Sequence, residues 1–168
     1  MRFSELICFV IYTMSFIIWP NTLFEDIRIP NHTRVIYIVE HPIFFTEYQY
    51  HKMKLVLHRA SMKFYQNWLE SEFPHMRVKY IDFQKYASFS TKPKNQFMFY
   101  DPHDHVIQSE YRESTINESP GFLMSTEDIE YYYQKHKTKN QRHVHFYNYH
   151  KDIIADAYPN LSKYLTRN

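Results

Sequence analysis

A carboxylate and an imidazole, Glu40 and His41, directly follow the apolar run Val35-Ile36-Tyr37-Ile38-Val39. That run predicts a buried strand, and a helical pattern begins beyond Pro42, so both side chains lie at a strand-to-helix crossover. In open α/β sheets, ligands collect outside the carboxyl ends of the strands. Glu40 and His41 are therefore candidates to contact a bound ligand. The alternative is structural: Glu40 caps a neighbouring helix, and His41 orders the loop before Pro42.

Asp101 directly follows the apolar segment 96–100, which predicts another strand, and it is expected to share the ligand crevice with Glu40. It opens the loop Asp101-Pro102-His103-Asp104-His105, which is rich in metal-capable side chains. Adjacent ligands on one loop rarely complete a site, and no HExxH helix or cysteine pair supports them. We therefore predict a solvated turn and no metal. The alternative is a small stand-alone hydrolase or transferase that uses loop 101–105.

Three basic residues, Lys52, Arg59 and Lys63, follow one another at spacings of seven and four residues. On a helix these spacings place them on one face. The pattern predicts a basic face that docks a partner surface or an anionic ligand. The alternative is an ordinary solvated helix face, which is the commoner explanation of such charges.

Several classes of function are excluded by residues that the chain lacks. Gly121 is its only glycine, so it has neither a Walker loop nor a dinucleotide fingerprint. The same shortage excludes a GxSxG nucleophile elbow, and no catalytic residue is predicted. Cys8 is the only cysteine, which excludes an internal disulfide and any cluster held by four cysteines of this chain.

Composition indicates a folded domain without a strong electrostatic preference. Of the 168 residues, 44% are hydrophobic and 19% aromatic, which argues against disorder. Twenty Lys and Arg against eighteen Asp and Glu give a net charge of +2, too little to indicate nucleic acid binding. The apolar run Leu6–Trp19 is short for a membrane span and lacks a signal-peptide cleavage site. A cytoplasmic protein without a membrane segment is expected.

The pattern of elements predicts an α/β fold. Strands are predicted over 14–19, 34–39, 77–81 and 96–100, and a long helix over 46–72 with Thr46 as its N-cap. The stripe Met53, Leu57, Ala60, Phe64 and Trp68 is predicted to face the sheet. Because parallel neighbours require crossovers, this order favours a parallel sheet covered by helices. We predict an extension over 1–13, an α/β domain over 14–115 and a mainly helical extension over 116–168.

Several stretches between about Met14 and Ile154 resemble one known family. They are Trp19-Pro20-Asn21-Thr22-Leu23-Phe24, the block Glu40–Lys63, Val78-Lys79-Tyr80-Ile81-Asp82, Pro120-Gly121-Phe122-Leu123 and His145-Phe146-Tyr147. They resemble the N-terminal part of the deoxyribodipyrimidine photolyase-related proteins, the bacterial cryptochrome/(6-4) photolyase branch. The resemblance implies a flavodoxin-like antenna domain, which in relatives holds a lumazine chromophore near the carboxyl edge of the sheet.

In those relatives a large helical domain follows, which binds FAD, carries an iron–sulfur cluster on four cysteines and binds DNA. This chain has neither the cysteines nor the length for that domain, and it has Thr22 where the family usually has Gln. The resemblance therefore implies an antenna-type domain without FAD or iron–sulfur cluster, non-catalytic alone. Its chromophore would be lumazine-like, with Glu40, His41 and Asp101 lining the crevice.

The resemblance also implies a partner, a separate FAD-binding photolyase domain, with DNA contacted only indirectly. Without that domain, the 120–155 region is expected to expose an apolar patch and to cause self-association. The residues expected in the patch are Phe122, Leu123, Phe146, Tyr147, Tyr149 and Ile153. A ligand-free interaction domain remains a further alternative.

Overall fold

The computed structural model describes residues 14–136 and 143–160. Five strands form one all-parallel sheet in the order β3-β2-β1-β4-β5. The strands are β1 Ser15–Ile18, β2 Val35–Val39, β3 Arg77–Ile81, β4 Phe97–Tyr100 and β5 Thr115–Asn117. The predicted α/β fold with a flavodoxin-like parallel sheet is confirmed. The strand order runs outward from β1 to β3 on one side and from β4 to β5 on the other, so the topological switch point lies between β1 and β4.

The described residues form six α-helices, four of them in the unit that contains the sheet and two in the second unit. They are α1 Pro42–Phe45, α2 Lys52–Glu72, α3 Tyr86–Phe89, α4 His105–Glu110, α5 Thr126–Lys135 and α6 His143–Ala157. Two 3₁₀ turns, Phe83–Lys85 and Lys94–Gln96, precede α3 and β4. Among the described residues, no helix is both long enough and apolar enough to span a bilayer.

The four predicted strands are present, and a fifth was missed. β1 and β2 are almost wholly buried, as expected for central parallel strands covered on both faces. β5 is a three-residue edge strand, Thr-Ile-Asn, in which two residues are exposed. So short and polar a segment has no hydrophobic alternation from which a strand could be predicted.

Side chains of successive strand residues enter two separate cores. Phe16, Ile18 and Ile38 pack on one face of the sheet against α2. Ile17, Trp19 and the other members of the second core pack with α3 and α4. The alternation continues into the first residues beyond each strand. It therefore determines on which face of the sheet a polar side chain at the strand end lies.

The predicted orientation of α2 is wrong. Its buried residues are Met62, Tyr65 and Leu69, whereas Phe64 is 76% exposed. Leu57 and Met53, on the same side as Phe64, are 66% and 65% exposed. Only Trp68, from the end of the predicted stripe, packs partly against the core. This helix carries two apolar faces, and periodicity alone does not tell which of them meets the sheet.

The start of α2 also differs from the prediction of a helix from residue 46. The chain first forms the short helix α1, whose C-cap is Thr46, and α2 begins after a separate cap at His51. The Nδ1 atom of His51 accepts a hydrogen bond from the backbone N–H of Met53 at 3.2 Å. Glu72 ends the helix two residues before Pro74, as predicted.

The described residues divide into two compact units after Pro120. In the second unit, Ser125 and Asp128 form a capping box at the start of α5. Tyr132 of α5 is buried against three rings of α6, with centroid distances of 5.0 Å to Phe146, 5.1 Å to Tyr149 and 5.3 Å to His150. The predicted domain limits at 115 and 116 stay predictions, and the extension over 1–13 with Cys8 lies outside the described residues.

Candidate functional site: a basic groove beside a buried carboxylate

Glu40 is fully buried one residue beyond β2. Its backbone N–H donates to the Ile81 carbonyl at 2.9 Å, which directs its carboxylate to the α2 side of the sheet. There Arg59 of α2 donates from Nε to Oε1 and from Nη2 to Oε2, both at 2.6 Å. This is the bidentate geometry in which Arg and carboxylate bind most strongly.

The carboxylate of Glu40 accepts hydrogen bonds from two further donors. The Tyr80 hydroxyl donates to Oε1, and the backbone N–H of Phe83 donates to Oε2 at 3.2 Å. Burial would raise the pKa of Glu40, but the hydrogen bonds from Arg59, Tyr80 and Phe83 outweigh it and hold that pKa below its ordinary value. Phe83 begins a 3₁₀ turn whose N-cap is Asp82, so Glu40 contacts the first backbone N–H of that turn without being its cap.

A groove of about 440 Å³ lies beside this ion pair. Its lining comprises Phe45, Phe83, Leu55, Val56, Ala60, Lys52, Arg59 and Lys63. The three basic residues singled out by their spacing thus meet at one groove on α2. The rings of Phe45 and Phe83 are nearly parallel, at 10°, with centroids 6.3 Å apart. The guanidinium of Arg59 lies 5.7 Å from the first ring and 5.6 Å from the second.

The groove carries an excess of positive charge. Glu40 compensates Arg59, whereas Lys63 contacts only neutral groups among the residues that the structure describes: Nζ donates to Gln66 at 3.2 Å and lies 3.4 Å from the Tyr80 ring centroid. Lys52 is exposed at one end of the groove. Apolar ring faces together with uncompensated cations suit a planar ligand that carries negative charge or carbonyl oxygens.

His41 is buried on the opposite face of the sheet. Its Nδ1 accepts from the Ile43 N–H at 3.2 Å and so caps α1, a role that the sequence analysis did not assign to it. With Nδ1 accepting, Nε2 carries the proton that is shared with Glu110 Oε2 at 3.1 Å. The His41 ring also packs edge-on against Tyr86, with centroids 4.6 Å apart.

Glu110, at the end of α4, is the centre of a polar cluster that sequence analysis missed. Its Oε1 accepts from the Tyr86 hydroxyl at 2.6 Å and from Lys94 Nζ at 3.3 Å. Burial would raise the pKa of Glu110, but hydrogen bonds from His41 and Tyr86 and the nearby charges lower it to about 2. His41 and Glu110 are 69 positions apart, and no motif connects them, so no signal in one sequence could have found this cluster.

Asp101 lies at the carboxyl end of β4, as predicted, but its side chain organises its own loop. Oδ1 accepts from the backbone N–H of His103 at 2.7 Å and from Gln108 Nε2 at 2.8 Å. His103 adopts a positive φ of 51°, and Asp104 caps α4. Across the described ranges, no group of three His, Cys, Asp or Glu side chains is arranged to hold a metal ion.

The three residues predicted to line one crevice do not converge. Glu40 and His41 belong to opposite faces of the sheet, with Arg59 and Glu110 as their respective partners. Asp101 follows β4, which is separated from β2 by β1, so two strand spacings of about 4.8 Å put these strand ends about 10 Å apart. Of the three, only Glu40 borders the groove, through Arg59.

The loops at the switch between β1 and β4 are tied together. Asn21 Nδ2 donates to the Pro102 carbonyl at 2.8 Å, and Thr22 Oγ1 accepts from the Trp19 N–H at 2.9 Å. Thr22, the residue at which the sequence analysis noted a departure from the family pattern, is therefore a buried turn residue. Among the described residues, the buried Trp19 Nε1 has no hydrogen-bond partner.

The side chains predicted for an apolar patch in the 120–155 region are not buried. Phe122, Leu123, Tyr147 and Ile153 are exposed. Phe146 and Tyr149 are half-buried, because both pack against Tyr132. The second unit therefore presents several large apolar side chains to solvent.

These features define an α/β domain of the doubly wound class with a basic, aromatic groove at the carboxyl edge of its sheet. Residues 16–151 match the family described as deoxyribodipyrimidine photo-lyase-related protein. Because the match covers most of the chain, the chain belongs to this family. A search of curated proteins found no match.

Proposed function

We propose that this chain is an antenna-type domain that binds a lumazine-like chromophore in the groove beside α2 and is not catalytic alone. The observation that carries the proposal is the groove itself, in which Phe45 and Phe83 meet the basic side chains of Lys52, Arg59 and Lys63. A volume of about 440 Å³ lies within the range of small-molecule sites.

The chemistry of the groove fits light absorption better than bond making. A lumazine ring offers two flat apolar faces and carbonyl oxygens, which match the Phe rings and the cationic donors. Tyr80 remains a hydrogen-bond donor because burial and Glu40 raise its pKa far above neutrality. Arg59 keeps its charge for the same electrostatic reason, since the bond to Glu40 raises its pKa. Neither Tyr80 nor Arg59 is thereby poised to exchange a proton near neutral pH.

The proposal includes a partner and a compartment. We propose that a separate FAD-binding photolyase domain accepts excitation energy from the chromophore, and that DNA is contacted only through that partner in the cytoplasm. Support for a partner comes from exposed apolar side chains of the second unit, such as Phe122, Leu123 and Ile153. If the groove proves empty, these same side chains favour the ligand-free interaction domain.

Reconstitution with 6,7-dimethyl-8-ribityllumazine tests the chromophore. Binding is expected to shift and sharpen the ligand's absorbance, and Lys52→Glu with Lys63→Glu is expected to weaken binding at least tenfold. Lys92→Glu is the matched control, because this exposed lysine lies outside the groove. A spectrum equal to the sum of free ligand and protein, without measurable binding, refutes the chromophore role.

A further inference from the structure

The outward face of α2 carries an apolar stripe. Met53, Leu57 and Phe64 are exposed at helical spacing, with Ala60 between the last two. The eleven steps from Met53 to Phe64, at about 1.5 Å each, make the stripe about 16 Å long. Large contiguous apolar surfaces on soluble proteins mark interaction sites. Since the opposite face of α2 already packs on the sheet, this stripe is a second apolar face that the described residues leave exposed.

The stripe lies between two depressions. One is the basic groove, and the other is a hollow of about 810 Å³ whose lining includes Leu23, Phe64 and Trp68. Ala60 lines both, so the smallest side chain stands at the centre of the surface. A ridge with a small residue at its centre and grooves on both sides is the surface that a second helix packs against.

The charges of α2 run against its own dipole. Lys52 and Lys54 lie in the first turn, Glu70 and Glu72 lie in the last turn, and neither turn carries the opposite charge. Cations at the N-terminus and anions at the C-terminus both destabilise a lone helix. Within the described ranges none of the four forms an ion pair, although Lys54 Nζ lies 4.1 Å from the Tyr50 ring centroid and Glu70 accepts from Gln66.

We propose that α2 packs antiparallel against α2 of a second copy of this chain across a two-fold axis. One register satisfies both the charges and the shape: Lys52 lies on the same flank as Glu70 of the other copy and beside it, and Lys54 lies on the other flank beside Glu72 of the other copy. In that same register, Ala60 lies opposite the large side chain of Phe64. A two-fold interface is self-complementary, so each pairing occurs twice. The antiparallel dipoles also compensate each other.

The surface favours a second copy of this chain as its partner, because α2 carries both the apolar stripe and charges that are complementary to each other at its two ends. A partner of uniform charge would satisfy one end of α2 and be repelled at the other. The interface goes beyond the proposed chromophore site, which it adjoins along Val56 and Ala60. A single helix pair is at the small end of specific interfaces, so a dissociation constant in the micromolar range is expected.

Sedimentation of the full chain over a concentration series tests the proposal. The wild type is expected to be a dimer at high concentration, and Phe64→Asp a monomer with an unchanged circular dichroism spectrum. Charge reversal by Lys52→Glu with Lys54→Glu, or by Glu70→Lys with Glu72→Lys, is expected to weaken self-association at least tenfold. Mixing the two reversed variants is expected to restore a dimer, because each supplies the charge that the other has lost.

Phe122→Asp is the matched control, since Phe122 is also exposed but lies in the second unit. A wild type that sediments as a monomer at all concentrations overturns the proposal. It is equally overturned if Phe122→Asp dissociates the dimer while Phe64→Asp does not, or if the mixed charge variants stay monomeric. Lumazine binding by the Phe64→Asp monomer would leave the chromophore proposal standing, so the two proposals fail separately.

Discussion

Glu40 and His41 are neighbours in the chain, yet their side chains enter different polar networks on opposite faces of the sheet. Glu40 is fully buried and paired with a guanidinium that is charged at every accessible pH. His41 is buried, and its partner Glu110 is 31% exposed at the side chain and also accepts from Lys94. One network therefore holds a fixed charge pair inside the protein, whereas the other includes an imidazole ring and a carboxylate reached by solvent.

The difference indicates separate roles for the two networks. The Glu40–Arg59 pair fixes the wall of the basic groove, because it orients α2 against the end of β2. The His41–Glu110 cluster connects α1, α3 and α4 on the other face of the sheet, and neither His41 nor Glu110 lines the groove. Both Glu40 and His41 have side chains suited to ligand contact, yet in this fold each connects secondary-structure elements to one another.

The largest effect is expected from removing the cation of the buried pair. Arg59→Met leaves the Glu40 carboxylate without its main partner, and the free energy of unfolding is expected to fall by about 3 kcal/mol. Glu40→Gln is expected to cost less, about 1 kcal/mol, because the half-exposed Arg59 regains water. Urea unfolding of both variants measures the asymmetry. Equal losses would mean that Glu40 is less buried than the structure shows.

An intermediate effect is expected from acid on the second network. The folded pKa of Glu110 is lowered from 4.5 to about 2, so the unfolded chain binds more protons in this range. The stabilisation is therefore present above about pH 4.5 and is lost as the pH falls from there towards pH 2. After discounting for solvent screening, it amounts to about 1 kcal/mol.

Glu110→Gln tests that origin of acid sensitivity. The variant is expected to show a flatter dependence of the free energy of unfolding on pH between about pH 5 and pH 2. Glu113→Gln is the matched control, because Glu113 is an exposed glutamate nearby in the chain. An unchanged slope in Glu110→Gln would assign the acid sensitivity to other carboxylates, such as Glu40, whose pKa is also lowered.

The smallest effect is expected at the open side of the groove. Lys63→Gln removes an exposed ammonium that lies over the Tyr80 ring, so the free energy of unfolding should change by only about 0.5 kcal/mol. The same variant is expected to weaken binding of the lumazine. A loss of stability as large as that of Arg59→Met would make Lys63 part of the structural pair instead of the ligand surface.

Much of the fold was predictable, and much of the site was not. The apolar runs that became β1, β2 and β4 indicated buried parallel strands, and Pro74 and the helical period indicated α2. The spacing of Lys52, Arg59 and Lys63 correctly placed them together. The side of α2 that meets the sheet was predicted wrongly, because the helix has apolar residues on two faces and the burial of Met62, Tyr65 and Leu69 depends on the opposing strands.

Local sequence was sufficient wherever the physical cause was local. A run of β-branched and aromatic residues predicts a strand, and a carboxylate one residue beyond it lies at the carboxyl edge of the sheet. The partners of Glu40 and His41 depend on chain segments 19 and 69 positions away, which the packing of α2 and α4 brings into hydrogen-bonding distance. Alternation across the sheet then separates two adjacent polar residues by the full thickness of the strand layer. For this reason the basic residues of the groove could be predicted from the sequence, whereas only the tertiary structure determines that Glu40 is the carboxylate beside them.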